Sequence, residues 1–194
     1  TFFTELKFRV KLSAPSNKNI YELGIETIPS ESACYPAKLS HGHIMDLINK
    51  GVKRIFYPCV AVEKKEDKRA NNSYNCPIVT SYPEVIKNNV EDFNINDVEF
   101  INPFISLNNK EKFVDIIFET FKSLNISKEE ISKALNKAIE EDNTFKQDIR
   151  NKGEEVLKYL KRENKKGIVL CGRPYHIDPE INHGLPNIIT SYDM

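Results

Sequence analysis

The chain has no tryptophan, no cysteine pair in C-x-x-C spacing, no glycine-rich phosphate loop and no apolar run of membrane-spanning length. Each absence removes a class of protein. Without C-x-x-C, the compact zinc-ribbon and ferredoxin spacings are excluded. Without a phosphate loop or any other ATP motif, this segment has no means of hydrolysing ATP itself. No apolar run approaches the length of a membrane span and no signal-peptide pattern is read, so neither a membrane helix nor a secretory route is expected. Charge excess is missing too. Lys+Arg and Asp+Glu both number 28, so there is no general attraction to nucleic acid or to an anionic membrane surface. Four cysteines spread over 194 residues do not make a disulfide framework, and a reduced, cytoplasmic protein is expected.

What is present is an alternation of strand-like and helix-like segments. Phe8, Val10 and Leu12 alternate with Arg9 and Lys11, the pattern of a half-buried strand. A short helix is expected from Asn19 to Gly24 and a longer one from Pro36 to Asn49, stopped by Gly51. Lys53–Cys59 reads as a buried parallel strand running into a loop, Glu63–Arg69 as a solvated charge run, Ser81–Asn89 as a helix and Val98–Ile101 as a strand closed by Pro103. This order predicts an α/β fold with a doubly wound parallel sheet in three layers over residues 1–106. A helical connector follows over 107–165. It opens with the capping box Ser127-Lys-Glu-Glu130 and carries an apolar stripe that Gly153 interrupts, which predicts a long helix or a broken pair. Residues 166–194 read as the start of a second α/β unit, with Ile168–Cys171 as its strand and Asp178-Pro179 as a helix start. The helix-like pattern already under way at Thr1 and the late apolar turn at Ile188 read as an excised segment of a longer protein.

The densest chemistry lies in Pro29-Ser-Glu-Ser-Ala-Cys34-Tyr-Pro-Ala-Lys38-Leu-Ser-His41-Gly-His43. Cys34 falls at a helix start, where unpaired N–H groups and the helix dipole favour negative charge. Lys38 and His41 follow on the same face at i+4 and i+7. Cys59 ends a strand and Cys76 precedes a helix. In an open parallel sheet these positions share one edge, where ligands bind. The three thiols therefore converge as ligand arms, or they are simply small buried side chains. A structural zinc would need a fourth ligand, which His41 or Cys171 could supply. Gly172-Arg173-Pro-Tyr-His176 is a second polar loop after a strand, with Arg173 suited to an anion and His176 to proton transfer. Gly42, inside a helix, costs about 1 kcal/mol relative to alanine and serves either close packing or ligand space.

Four stretches together resemble a known family. They are Ser30–Leu39, Tyr57-Pro-Cys59, Tyr74-Asn-Cys76-Pro-Ile-Val-Thr-Ser-Tyr-Pro83 and Gly172–Gly184. The chain resembles the activator-related proteins of the 2-hydroxyacyl-CoA (2-hydroxyglutaryl-CoA) dehydratase system, in their cysteine-bearing region. The resemblance covers most of the chain and is weakest from Asn108 to Lys166. It implies a dehydratase-subunit-like fold and a 4Fe–4S cluster on Cys34, Cys59 and Cys76, with a double-cubane cluster as a variant. It also implies an ATP-binding activase region or subunit as the source of low-potential electrons, an acyl-CoA as the molecule served, and a homodimer as one assembly. Lys38, His41, Arg173 and His176 are then the neighbouring cofactor-binding candidates. A non-catalytic interaction or regulatory module of the same fold and a zinc-stabilised binding domain are the alternatives.

Overall fold

The computed structural model describes residues 1–194. Its elements in order are α1 (Phe2–Glu5), α2 (Lys18–Leu23), α3 (Tyr35–Asn49), β1 (Arg54–Phe56), β2 (Cys59–Val62), α4 (Pro77–Asn89), α5 (Asp92–Ile95), β3 (Glu99–Ile101), β4 (Phe104–Ser106), α6 (Lys110–Thr120), α7 (Lys128–Arg162) and α8 (Leu185–Ser191). β1 pairs with β3 and β2 with β4, both in parallel.

The two small sheets are one ribbon with an interruption. Arg54↔Glu99, Phe56↔Ile101 and Cys59↔Phe104 keep a single register across the break. Two backbone bonds bridge it, from Tyr57 N–H to the Ile101 carbonyl and from Cys59 N–H to the Pro103 carbonyl, each 2.9 Å. The residues at the break are Pro58 and Pro103, which have no N–H to donate to a ladder. A bulge lies between Val60 and Val62, and the ribbon ends with Val62 paired to Ser106.

Both faces of the ribbon are covered. Ile55 packs with Ala37, Ile44 and Ile48 of α3, Tyr82 and Ile86 of α4, and Phe93 of α5. On the other face, Ile101 and Ile105 pack with Phe113 and Ile117 of α6, Phe121, and Ile131 of α7, joined by Phe2, Phe3 and Phe8. Helix, ribbon and helix make the three expected layers. The sheet is nevertheless two strands wide, and the doubly wound sheet predicted above is not found. Two expected strands are missing from it. Around Phe8 the chain is extended but unpaired, with Val10 47% and Leu12 78% exposed. Ile168, Val169 and Leu170 are 52%, 81% and 54% exposed, and they pair with nothing. Alternation or an apolar run suits a strand only when a neighbouring strand offers its backbone, and no third strand lies beside this ribbon. The helix expected to start at Asp178-Pro179 is a series of turns, and α8 begins only at Leu185.

The helix ends follow their sequence signals. Asn17 and Asn109 cap α2 and α6 through side-chain bonds to Ile20 N–H and Lys112 N–H. Ser127 and Glu130 form the reciprocal capping box of α7. α3 ends with Gly51 at φ +73°, its N–H on the Ile48 carbonyl and Val52 N–H on the Leu47 carbonyl, the paired closure that a left-handed glycine allows. α7 is continuous through Gly153, so the long-helix alternative holds.

Gly42 serves close packing. A Cβ there would lie 1.8 Å from the Ile20 carbonyl oxygen, and one on Gly24 would lie 2.3 Å from the Gly42 nitrogen. α2 and α3 therefore meet backbone to backbone. Gly153 is the opposite case, with nothing within 4 Å of an added Cβ. Gly42→Ala should destabilise the fold by at least about 2 kcal/mol, because backbone and not a flexible side chain must yield. Gly153→Ala should stabilise it by about 1 kcal/mol through helix propensity alone. Urea unfolding of the two variants checks both signs, and equal effects would contradict this account.

Candidate functional site

α3 and α4 each begin on a cysteine. Cys34 caps α3 at φ −64°, ψ 151°, with Pro36 in the first turn. Cys76 caps α4 at φ −64°, ψ 148°, with Pro77 following. Proline is preorganised for the first helical turn and loses no bond there. Neither cysteine makes a side-chain capping bond, so both thiols are free, and both are exposed. Cys59, the first residue of β2, is 0% exposed.

Because α4 runs back along β2, its N-terminus meets the strand's far end. Thr80 Oγ1 donates to the carbonyls of Cys76 (3.3 Å) and Val60 (3.4 Å), and Asn75 Nδ2 also donates to Val60 (3.0 Å). Cys34 and Cys59 share a neighbour in Tyr57. Burial pushes the Tyr57 hydroxyl up, and the charges of Cys59 and Cys34 add to this. Tyr82 is raised by burial, then by Cys34 and Tyr57. Burial likewise pushes the Cys59 thiol up, and the carboxylate of Glu84 reinforces it. Glu84 in turn accepts a bond from Asn102 Nδ2 (2.6 Å), beside the ribbon break. The three cysteines thus take separate positions, Cys59 at the break within the ribbon, Cys34 near it through Tyr57, and Cys76 at the start of α4. They do not form a coordination shell, since no group of three or more His, Cys, Asp or Glu side chains is arranged to hold a metal ion.

His41 is 0% exposed. Its Nδ1 is 2.7 Å from Thr27 Oγ1 and its Nε2 is 3.1 Å from Tyr82 Oη. The Thr27 hydroxyl donates to the Gly24 carbonyl (2.8 Å). In this network Nδ1 carries the proton and Nε2 accepts from Tyr82. Both ring nitrogens are used within the protein, and the ring ties the 24–27 turn to α4. Lys38 is half-buried, with no side-chain hydrogen bond or ion pair. Arg173 and His176 lie together on an exposed loop, where His176 Nδ1 accepts the Arg173 backbone N–H (3.0 Å). Cys171 is exposed on the same loop.

Two contributors to this region were not singled out from sequence: Tyr57 and Tyr82. The tyrosines stand inside the quoted motifs as Tyr57-Pro-Cys59 and Tyr82-Pro83, so their signal was present.

A three-layer α/β unit with free thiols capping two helices defines a cysteine-bearing α/β domain. The chain belongs to the family of the CoA enzyme activase uncharacterised domain, whose model matches residues 1–194. No curated protein and no solved structure matches it. No helix is long and apolar enough to cross a membrane.

Burial depresses the His41 pKa from 6.5 to about 4. The unfolded chain therefore binds the extra proton first. His41 contributes stability that is fully present above pH 6.5 and lost as the pH falls toward 4, in total about 3 kcal/mol. Urea unfolding between pH 7 and pH 4 should show this loss, and His41→Gln should flatten it. A slope unchanged in that variant would rule His41 out as its source.

Proposed function

We propose that this domain is the cysteine-bearing part of an acyl-CoA dehydratase activation system, with residues 1–106 as its ligand-carrying unit and 107–165 as a helical connector. In this reading Cys34, Cys59 and Cys76 hold a 4Fe–4S cluster, and an ATP-binding activase region or subunit supplies the electron. The observation that carries the reading is the pair of uncommitted N-cap thiols, Cys34 and Cys76, in a chain that belongs to a CoA enzyme activase family.

The donor set suits iron–sulfur chemistry, since thiolates are its usual ligands. Cys59 would be the fixed ligand, anchored in the ribbon, and it must lose the proton that burial holds on it. Cys34 and Cys76 would be the movable ligands, since each sits at an exposed helix end. Tyr57 lies close to both Cys34 and Cys59, and Tyr82 close to Cys34. A bound cluster of this kind supplies one-electron transfer and an open iron position. Lys38, Arg173 and His176 would face an anionic partner or acyl-CoA.

A second reading rests on the same geometry. The three thiols are not gathered in one shell, which favours an interaction module that keeps the fold without the metal. A zinc-stabilised domain is the third outcome. Anaerobic reconstitution with iron and sulfide separates them. The cluster reading expects visible charge-transfer absorbance and about four iron atoms per chain, both lost in Cys34→Ala, Cys59→Ala and Cys76→Ala. Absorbance that never develops, or iron content indifferent to all three substitutions, would leave the interaction module. Stoichiometric zinc that iron does not displace would identify the zinc domain.

A further inference from the structure

No residue beyond Ala134 is buried. The far half of α7, the loop after it and α8 form an arm rich in exposed apolar side chains, among them Phe145, Ile149 and Val156 at 57%, 54% and 46%. Midway along α7, Lys146 Nζ meets Glu66 Oε1 at 2.6 Å, and the turn after α7 returns to the body through a set of polar contacts along α3 and the segment before α2. The Tyr35 hydroxyl donates to Glu180 Oε1 (2.7 Å), and the His183 ring stacks over Tyr35 at 6.2 Å. The Ser16 hydroxyl donates to the Asp178 carboxylate, and its oxygen lies 3.0 Å from His43 Nε2. Ser13 Oγ meets His43 Nδ1 at 2.8 Å, while Asp46 accepts from Ala14 N–H (2.8 Å) and Lys50 Nζ (2.6 Å). The receiving side is thus built into α3. The arriving side is a turn, ordered by Asp178 Oδ1 accepting from Glu180 and Ile181 N–H.

We propose that Asp178–His183 is a releasable clasp that couples the position of the arm to the Cys34 end of α3. Its grip is polar and partly exposed, the kind of contact that opens locally without global unfolding. Its main anchor, Tyr35, is the residue next to Cys34. Whatever moves the first turn of α3 therefore changes the fit of Tyr35 to Glu180 and His183. Linkage makes the effect mutual: opening the clasp alters the thiol's surroundings, and engagement of the thiol loosens the clasp. Burial, followed by the Glu180 bond, pushes the Tyr35 hydroxyl up to about 12, in keeping with a protonated donor. The arm so released carries the apolar stripe of α7. This inference does not depend on a cluster being bound.

The test uses substitutions on the clasp side alone, Asp178→Ala and Glu180→Ala, which leave the body's cores untouched. Limited proteolysis between Glu163 and Arg173 reports the arm. Iodoacetamide labelling of each thiol, read by mass spectrometry, reports the coupling. The double variant should be cleaved at least about tenfold faster. Its Cys34 labelling rate should change by at least about fivefold, with Cys76 unchanged and Cys59 still protected. Labelling Cys34 in the native chain should accelerate cleavage as well. Unchanged cleavage would show that these residues do not hold the arm. Faster cleavage with Cys34 unaffected would show a clasp without coupling. Simultaneous opening of Cys59 would make the arm part of the body's single cooperative unit. Each of these three results overturns the proposal.

Discussion

Two parallel strands cannot stand alone, and the rest of the molecule follows from that constraint. Parallel pairing demands a crossover between the strands and leaves both faces of the ribbon apolar. Here α4 and α5 supply the crossover, and α3, α6 and the root of α7 complete the two covers. The register is held across Pro58 and Pro103 by the bonds of Tyr57 and Cys59, so the break in the ladder does not divide the ribbon. It does bend backbone polarity away from the sheet at the point where Cys59 and Tyr57 lie. The ribbon's weakest stretch and its most chemical stretch coincide.

Two of the helices that cover one face start alike. α3 and α4 both begin on cysteine with nearly identical torsions, and both use proline to set the turn. A serine or aspartate in either place would accept a helix N–H with its side-chain oxygen. A cysteine leaves the cap unfilled and the thiol available. The chain thus accepts two poorly capped helices while capping α2, α6 and α7 with care.

Much of this was legible in the sequence because local rules governed it. Gly51, Ser127-Glu130, Pro36 and the apolar spacing of α3, α6 and α7 act over a few residues and mean what they usually mean. The first halves of the ribbon's strands, β1 and β3, were legible as well, but their continuation past Pro58 and Pro103 as β2 and β4 was not, since proline reads locally as a strand end. The segments at Phe8–Leu12 and Ile168–Leu170 were not, because an apolar pattern states a willingness to pair and cannot provide the partner. Of the candidate site, the helix-start positions of Cys34 and Cys76 were readable from proline spacing. The burial of Cys59 under α4, the enclosure of His41 between Thr27 and Tyr82, and the meeting of Tyr35 with Glu180 are long-range outcomes that no local pattern encodes.

The length of α7 has a mechanical meaning. Thirty-five residues in one unbroken helix, at 1.5 Å each, make a rod of about 52 Å rooted in the core at Ile131 and Ala134. A tilt of about 10° at that root carries the far end roughly 8 Å. The root packs on α6, whose neighbour is β4, while the far end leads into the turn that grips α3. The rod therefore works as a lever between the two faces of the ribbon, able to turn an ångström-scale repacking on one side into a displacement the size of a side chain on the other.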